Sequence, residues 1–189
     1  MKKILFLFLA ACFFFSCEKE TIVIPQQHAG RTVLAFFWAD NSLNSSLRNN
    51  IQTMMQGLQA MKDSAALLVY WDGEASDISW PEPCIVEYVT NGQGGINSLS
   101  KGTIDAMMAD KNTSIYDLIG IGNIRKKYPP QTSTEKTVMQ TVIGDMMSAY
   151  PSESYGIIFG SHGSGWLPTI TGTRSIGQDG GRYSSDTAL

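Results

Sequence analysis

Four apolar runs punctuate the chain after its N-terminal leader, and the stretches between them change period. Thr32 to Trp38 is β-branched and aromatic throughout, too uniformly apolar for a strand with one wet face, so it predicts a central strand buried on both sides. Asp40-Asn41-Ser42 supplies a turn and a helix N-cap. From there Leu43, Leu47, Ile51, Met54, Met55, Leu58 and Met61 recur at three- and four-residue spacing, which predicts a helix laid on the sheet with its methionines as core filling. Ala65 to Trp71 repeats the first pattern and ends at Asp72-Gly73, where Asp72 stands at a strand end open to a functional role but a turn-forming Asp-Gly is the favoured reading. Strand, helix and strand in this order predict a right-handed parallel crossover.

The next segments are weaker. Residues 74–83 are acidic and carry prolines, predicting a surface loop, and Cys84 to Thr90 is a shorter strand with partial alternation. Asn91-Gly-Gln-Gly-Gly95 is glycine-rich but lacks the Gly-Lys-Ser/Thr continuation of a phosphate loop. Short helical pieces are expected near 101–109 and 114–121, and Arg125-Lys-Lys127 reads as a solvated face. Thr132-Ser-Thr-Glu135 has the form of a capping box, opening an amphipathic helix through Val138, Met139, Val142, Ile143, Met146, Met147 and Tyr150 that stops before Pro151. Residues 156–159 then form a short apolar run expected to be a buried parallel strand, broken by Gly160, Gly163 and Gly165. Alternating helices and apolar strands predict an α/β three-layer sandwich with a mainly parallel sheet.

The N-terminus changes the picture of where this domain resides. Met1-Lys2-Lys3 followed by the apolar run Ile4 to Phe15 has the layout of an export leader. Phe14-Phe-Ser-Cys17 resembles a loose bacterial lipoprotein box, with Cys17 as the lipidated first residue of a protein anchored to the cell envelope. This divides the chain into a leader (1–17), a polar tether (18–30) in which His28 is solvated, and a domain from 31 to 189. Without the two leader lysines the formal charge is about −5, which disfavours nucleic acid as a partner.

Of three cysteines, Cys12 falls in the leader and Cys17 is the lipid candidate, so Cys84 is the one thiol left in the domain and no internal disulfide is expected. The absence of CxxC, His pairs and HExxH argues against zinc. The other histidine, His162, follows the last apolar run, where open α/β sheets place their ligands. A lone histidine is by default a surface or satisfied core residue; catalytic chemistry that uses one after a strand calls for a nucleophile from a neighbouring strand end, and Gly163 would allow a backbone N–H to face a substrate carbonyl.

Thr32-Val-Leu-Ala-Phe-Phe-Trp-Ala-Asp-Asn-Ser-Leu43, Leu68-Val-Tyr-Trp-Asp-Gly73, Tyr150 to Pro168 with its Gly-Ser-His162-Gly core, and Thr173-Arg-Ser-Ile-Gly-Gln-Asp179 together resemble the clostripain-like cysteine peptidases, of caspase-like fold. The resemblance implies an incomplete caspase-like domain, His162 as catalytic histidine, Gly163 as an oxyanion amide, and hydrolysis of peptides and proteins after basic residues. It also implies a maturation cut in the loop carrying Arg174 and Arg182, and calcium only by analogy with some relatives. The family's nucleophile follows the next strand in an Asp-Ala-Cys type motif, and no cysteine follows His162 here. The chain is therefore expected to be the N-terminal part of such a peptidase, inactive alone, or to be completed by a separate nucleophile-bearing polypeptide. Cys84 is set aside because the start of a strand is the wrong end of a parallel sheet. Ser161 and Ser164 are set aside because a residue adjacent or two away seldom reaches its neighbour's ring in attack geometry. A lipase-type reading fails for want of a Gly-x-Ser-x-Gly elbow. The alternative is a non-enzymatic, lipid-anchored surface binding module.

Overall fold

The computed structural model describes residues 29–62, 65–73, 82–110 and 112–162, with the backbone of 178–179 and 182–183. Strands β1 (Arg31–Ala39), β2 (Ala65–Gly73), β3 (Cys84–Val89), β4 (Asn123–Lys127) and β5 (Tyr155–Gly160) form one sheet in the order β4-β3-β2-β1-β5. Helix α1 (Asn44–Ala60) links β1 to β2, α2 (Lys101–Ala109) and α3 (Ile115–Ile121) lie between β3 and β4, and α4 (Lys136–Ala149) links β4 to β5. Two short strands, β6 (Gln178–Asp179) and β7 (Arg182–Tyr183), pair antiparallel with each other.

β1 explains the layering. Its alternate residues Ala35, Phe37 and Ala39 join Leu47, Ile51, Met55 and Leu58 of α1 in one core, together with Ile104 of α2 and Ile115, Leu118 and Ile119 of α3. The intervening Leu34, Phe36 and Trp38 join Met139, Val142 and Met146 of α4 in the other. A strand covered on both faces has no wet face to mark with polar residues, hence the unbroken apolar run. Each large side chain so buried contributes about 1.5–3 kcal/mol. Phe36 packs at 4.5 Å from Tyr70 and 4.8 Å from Trp38, centroid to centroid, which locks β1 and β2 together from this side.

β1 pairs parallel with β2 and with β5, so the crossover read from the pattern is present. β3, however, runs antiparallel to β2, and β4 antiparallel to β3. Only residues 74–83 join β2 to β3, fewer than the dozen or more that a parallel crossover requires. Four of the five strands still point the same way. β4 was not anticipated: Arg125, Lys126 and Lys127 are exposed as expected, but they stand on a strand. Their charges blunt the sheet's outer edge while pairing with Glu87, Asp145 and Glu82 respectively.

Three further expectations are corrected. α4 has Glu135 at its N-cap with no side-chain cap, so Thr132 to Glu135 is not a capping box. The box occurs instead at α3, where Ser114 and Asp117 satisfy each other's backbone N–H. Asp72 is not a surface turn but a buried residue within β2. β5 is parallel but not buried, because it is the last strand on its side of the sheet among the described residues, leaving Ile157 and Ile158 at 44% and 42% exposure. Asn91 to Gly95 folds on itself: Asn91 Oδ1 accepts from the N–H of Gln93 and of Gly95, and Gly92 and Gly94 take positive φ, so the glycines serve the turn.

Candidate active site

The C-terminal ends of β1 and β5 lie side by side because their register sets Phe37 opposite Gly160. Beyond these positions, the turn Asp40-Asn41-Ser42 leads into α1, and Ser161-His162 leaves β5. The close approach depends on Gly160, where a Cβ would stand 2.6 Å from Phe37 Cδ1 and 2.7 Å from Leu47 Cδ2.

Asn41 organises the turn. Its Oδ1 accepts from the Leu43 N–H at 2.9 Å, while its Nδ2 donates to the Trp38 carbonyl at 2.6 Å and to Ser161 Oγ at 3.3 Å. Asn44 Nδ2 adds a bond to the Ala39 carbonyl at 3.3 Å. The turn thus presented puts Ser42 Oγ 2.8 Å from His162 Nε2, between residues 120 apart in the chain. His162 stays partly exposed. The arrangement offers an accessible imidazole with one ring nitrogen engaged by the protein, which suits proton transfer at the other.

One strand over, the end of β2 carries a buried polar network. Ser133, in the loop before α4, donates to Asp72 Oδ2 and lies 2.6 Å from the Tyr70 hydroxyl, and Gln131 Nε2 donates to the Tyr70 oxygen at 2.9 Å. Asp72 stands opposite Trp38 in the β1–β2 register, so the network borders the same end of the sheet as His162.

Cys84 requires a correction of its own. Because β3 is antiparallel, its first residue faces Trp71 near the C-terminal end of β2, and so lies at the His162 end of the sheet. The thiol is excluded on other grounds. It is buried in the core under α1 to α3, and β2 and β1 separate its strand from β5, on the order of 14 Å at three strand spacings. Gly163, Cys17, Arg174 and most of the tether lie outside the described residues; Ala29, near the tether's end, is already buried and bonded to Pro151. Among the described residues, no group of three or more His, Cys, Asp or Glu is placed to hold a metal, and no helix is long and apolar enough to cross a membrane.

Sequence reasoning singled out His162 but missed Ser42, Asn41 and Ser133. The signal available was two short polar side chains directly after a buried strand, which also fits an ordinary turn.

The model of the clostripain family matches residues 35–186. Among solved structures, a Bacteroides fragilis cysteine protease is 27% identical, with a TM-score of 0.52, over 75% of this chain and 95% of that one. A secreted C11 cysteine protease from Bacteroides thetaiotaomicron, in complex with an irreversible peptide inhibitor, is 24% identical with a TM-score of 0.53 over 84% of this chain and 36% of its own. An inactive zymogen C11 protease from Parabacteroides distasonis has the same identity and TM-score over 79% of this chain and 35% of its own. No curated protein sequence matched.

Proposed function

Because the chain belongs to the clostripain family of cysteine peptidases, we propose that it forms the histidine-bearing part of a peptidase site, with His162 as general base and acid. His162 takes the proton of a cysteine thiol, the thiolate attacks the peptide carbonyl, and the imidazolium returns the proton to the leaving amine. The Gly163 N–H helps to hold the oxyanion. Substrates are peptides and proteins cleaved after basic residues. The observation that carries this reading is His162 standing at the end of a parallel strand, partly exposed and gripped by Ser42 at 2.8 Å.

The thiol comes from outside the described residues, on the far side of β5, either further along the same polypeptide or on a separate one. Two features support that placement. Ile157 and Ile158 lie exposed on opposite faces of β5, the last strand on this side among the described residues, and an apolar groove of about 350 Å³ lined by Val33, Met54, Leu58 and Met61 reaches Ile158. The match that covers nearly all of the B. fragilis chain but about a third of the other two is compatible with either arrangement. In the same reading the leader exports the protein and Cys17 carries the lipid that holds it at the cell envelope; calcium is a family analogy that activity with and without chelator would decide.

The test is turnover of fluorogenic Lys and Arg peptides by the chain together with the polypeptide bearing the cysteine. His162→Ala should lower kcat by about 10²–10⁴-fold, the usual worth of a positioned acid–base group. Turnover that survives the substitution defeats the assignment. Membrane extraction followed by mass spectrometry, with Cys17→Ala as control, decides the anchor: a parent protein found without lipid removes it.

A further inference from the structure

We propose that Ser42 is a positioning residue for His162: its hydroxyl oxygen accepts a hydrogen bond from Nε2–H, which leaves the Nδ1 lone pair as the base. The inference rests on the reading of His162 as the proton acceptor and adds the tautomer and the group that sets it.

A neutral imidazole has one N–H and one lone pair, and the bond made by one nitrogen decides the role of the other. Ser42 Oγ stands 2.8 Å from Nε2, and no described residue bonds Nδ1. If Ser42 donated, Nε2 would be the acceptor and Nδ1 would carry the proton. The ring would then have no free lone pair for a thiol. With Ser42 accepting, the S–H proton moves to Nδ1, the electron pair stays on sulfur, and the Nε2–H bond to Ser42 is unchanged. The imidazolium donates from both nitrogens, so the same contact serves the ring before and after transfer.

The support behind Ser42 favours a fixed role. Asn41 ties the turn to the Trp38 carbonyl and the Leu43 N–H, and its Nδ2 also grips Ser161, the residue before the histidine. One turn therefore contacts both the ring and the side chain of the residue before it. The pair superficially resembles a serine–histidine dyad, but a nucleophilic serine needs a base oriented through its second nitrogen, and none of the described residues supplies that group.

The experiment uses the chain labelled with ¹⁵N-histidine in a His28→Gln background, so that His162 gives the one ring signal. Two-bond ¹H–¹⁵N correlations near neutral pH should show the Nε2–H tautomer. Ser42→Ala should raise the Nδ1–H population about fivefold, the worth of one ordinary hydrogen bond, and Ser42→Thr should restore the parent spectrum. In the presence of the cysteine-bearing polypeptide, Ser42→Ala should lower kcat about fivefold or more at unchanged KM, again restored by Ser42→Thr. An Nδ1–H parent, or an alanine variant with unchanged tautomer and kcat, overturns the proposal. Labelling of Ser42 by a fluorophosphonate overturns it in favour of a nucleophile. Turnover that persists in His162→Ala defeats instead the peptidase reading, and the spectra of the chain alone keep the two failures apart.

Discussion

Ser133 donates its hydroxyl hydrogen to the carboxylate of Asp72, joining the loop before α4 to the end of β2 across 61 residues of chain. Both groups are buried, and Tyr70 approaches the same hydroxyl. The bond anchors the entry of α4 against β2, next to the strand that leads to Ser42. Ser133→Ala removes a bond to a carboxylate that has little water to replace it, so it should cost about 1.5–3 kcal/mol. Urea unfolding followed by far-ultraviolet circular dichroism measures this, and a loss below about 0.5 kcal/mol, the range of ordinary surface changes, contradicts the role.

Gly160 tests how the site depends on strand packing. A methyl group there meets Phe37 and Leu47 well inside van der Waals contact. Gly160→Ala should destabilise the fold by about 1–3 kcal/mol through overpacking and push β5 away from β1. The Ser42–His162 contact should weaken with it, seen as a shift of the His162 ring signals toward those of a solvated histidine. A variant with parent stability and parent ring shifts would show that the sheet yields at this point without cost.

The same two elements show what the chain's pattern reveals and what it hides. The buried stripe of α1 was legible because Leu47, Ile51, Met55 and Leu58 are spaced for one helix face, and β1 because both of its faces are apolar. β4 was hidden because Asn123 to Lys127 carries no alternation; its pairing comes from backbone groups on an edge, where polar side chains are an advantage. Ser133 was misread because a serine three residues before the start of a helix looks the same whether it caps that helix or reaches across to another element. His162 announced itself by position, whereas Ser42 became visible only through the β1–β5 register, which a sequence does not state.

Alkaline pH should separate the buried tyrosines. Burial, with a smaller contribution from nearby Cys84, pushes the Tyr88 phenol well above its ordinary value, and its hydroxyl donates to the Leu118 carbonyl at 2.7 Å. Tyr128 is raised by burial and by its bond to Asp145. Above pH ~10 an unfolded tyrosine loses its proton while the folded one keeps it. The native state then holds more protons, so stability is fully present below pH ~10 and falls as pH rises beyond it. Tyr88→Phe should flatten that fall by about 1.4 kcal/mol per pH unit. At neutral pH the same change should cost about 1 kcal/mol for the lost bond. Denaturant titrations of parent and variant from pH 8 to pH 11 measure both, and equal slopes would place the phenol in contact with solvent.

Among the described residues β5 has no neighbouring strand on its outer side, and it carries two exposed isoleucines, the pattern that natural sheets elsewhere blunt with charge, as this one does on β4. The chain produced by itself should therefore self-associate through this edge. Ile157→Lys and Ile158→Lys each place a charge there without removing a fully buried contact, so stability should change by less than about 1 kcal/mol while association falls. Light scattering and sedimentation against concentration are the measurements. If the lysine variants associate as strongly as the parent, the edge is not the contact. If the cysteine-bearing polypeptide binds the parent but not the variants, the same edge is where the site is completed, and Lys-peptide turnover should be lost in parallel with binding.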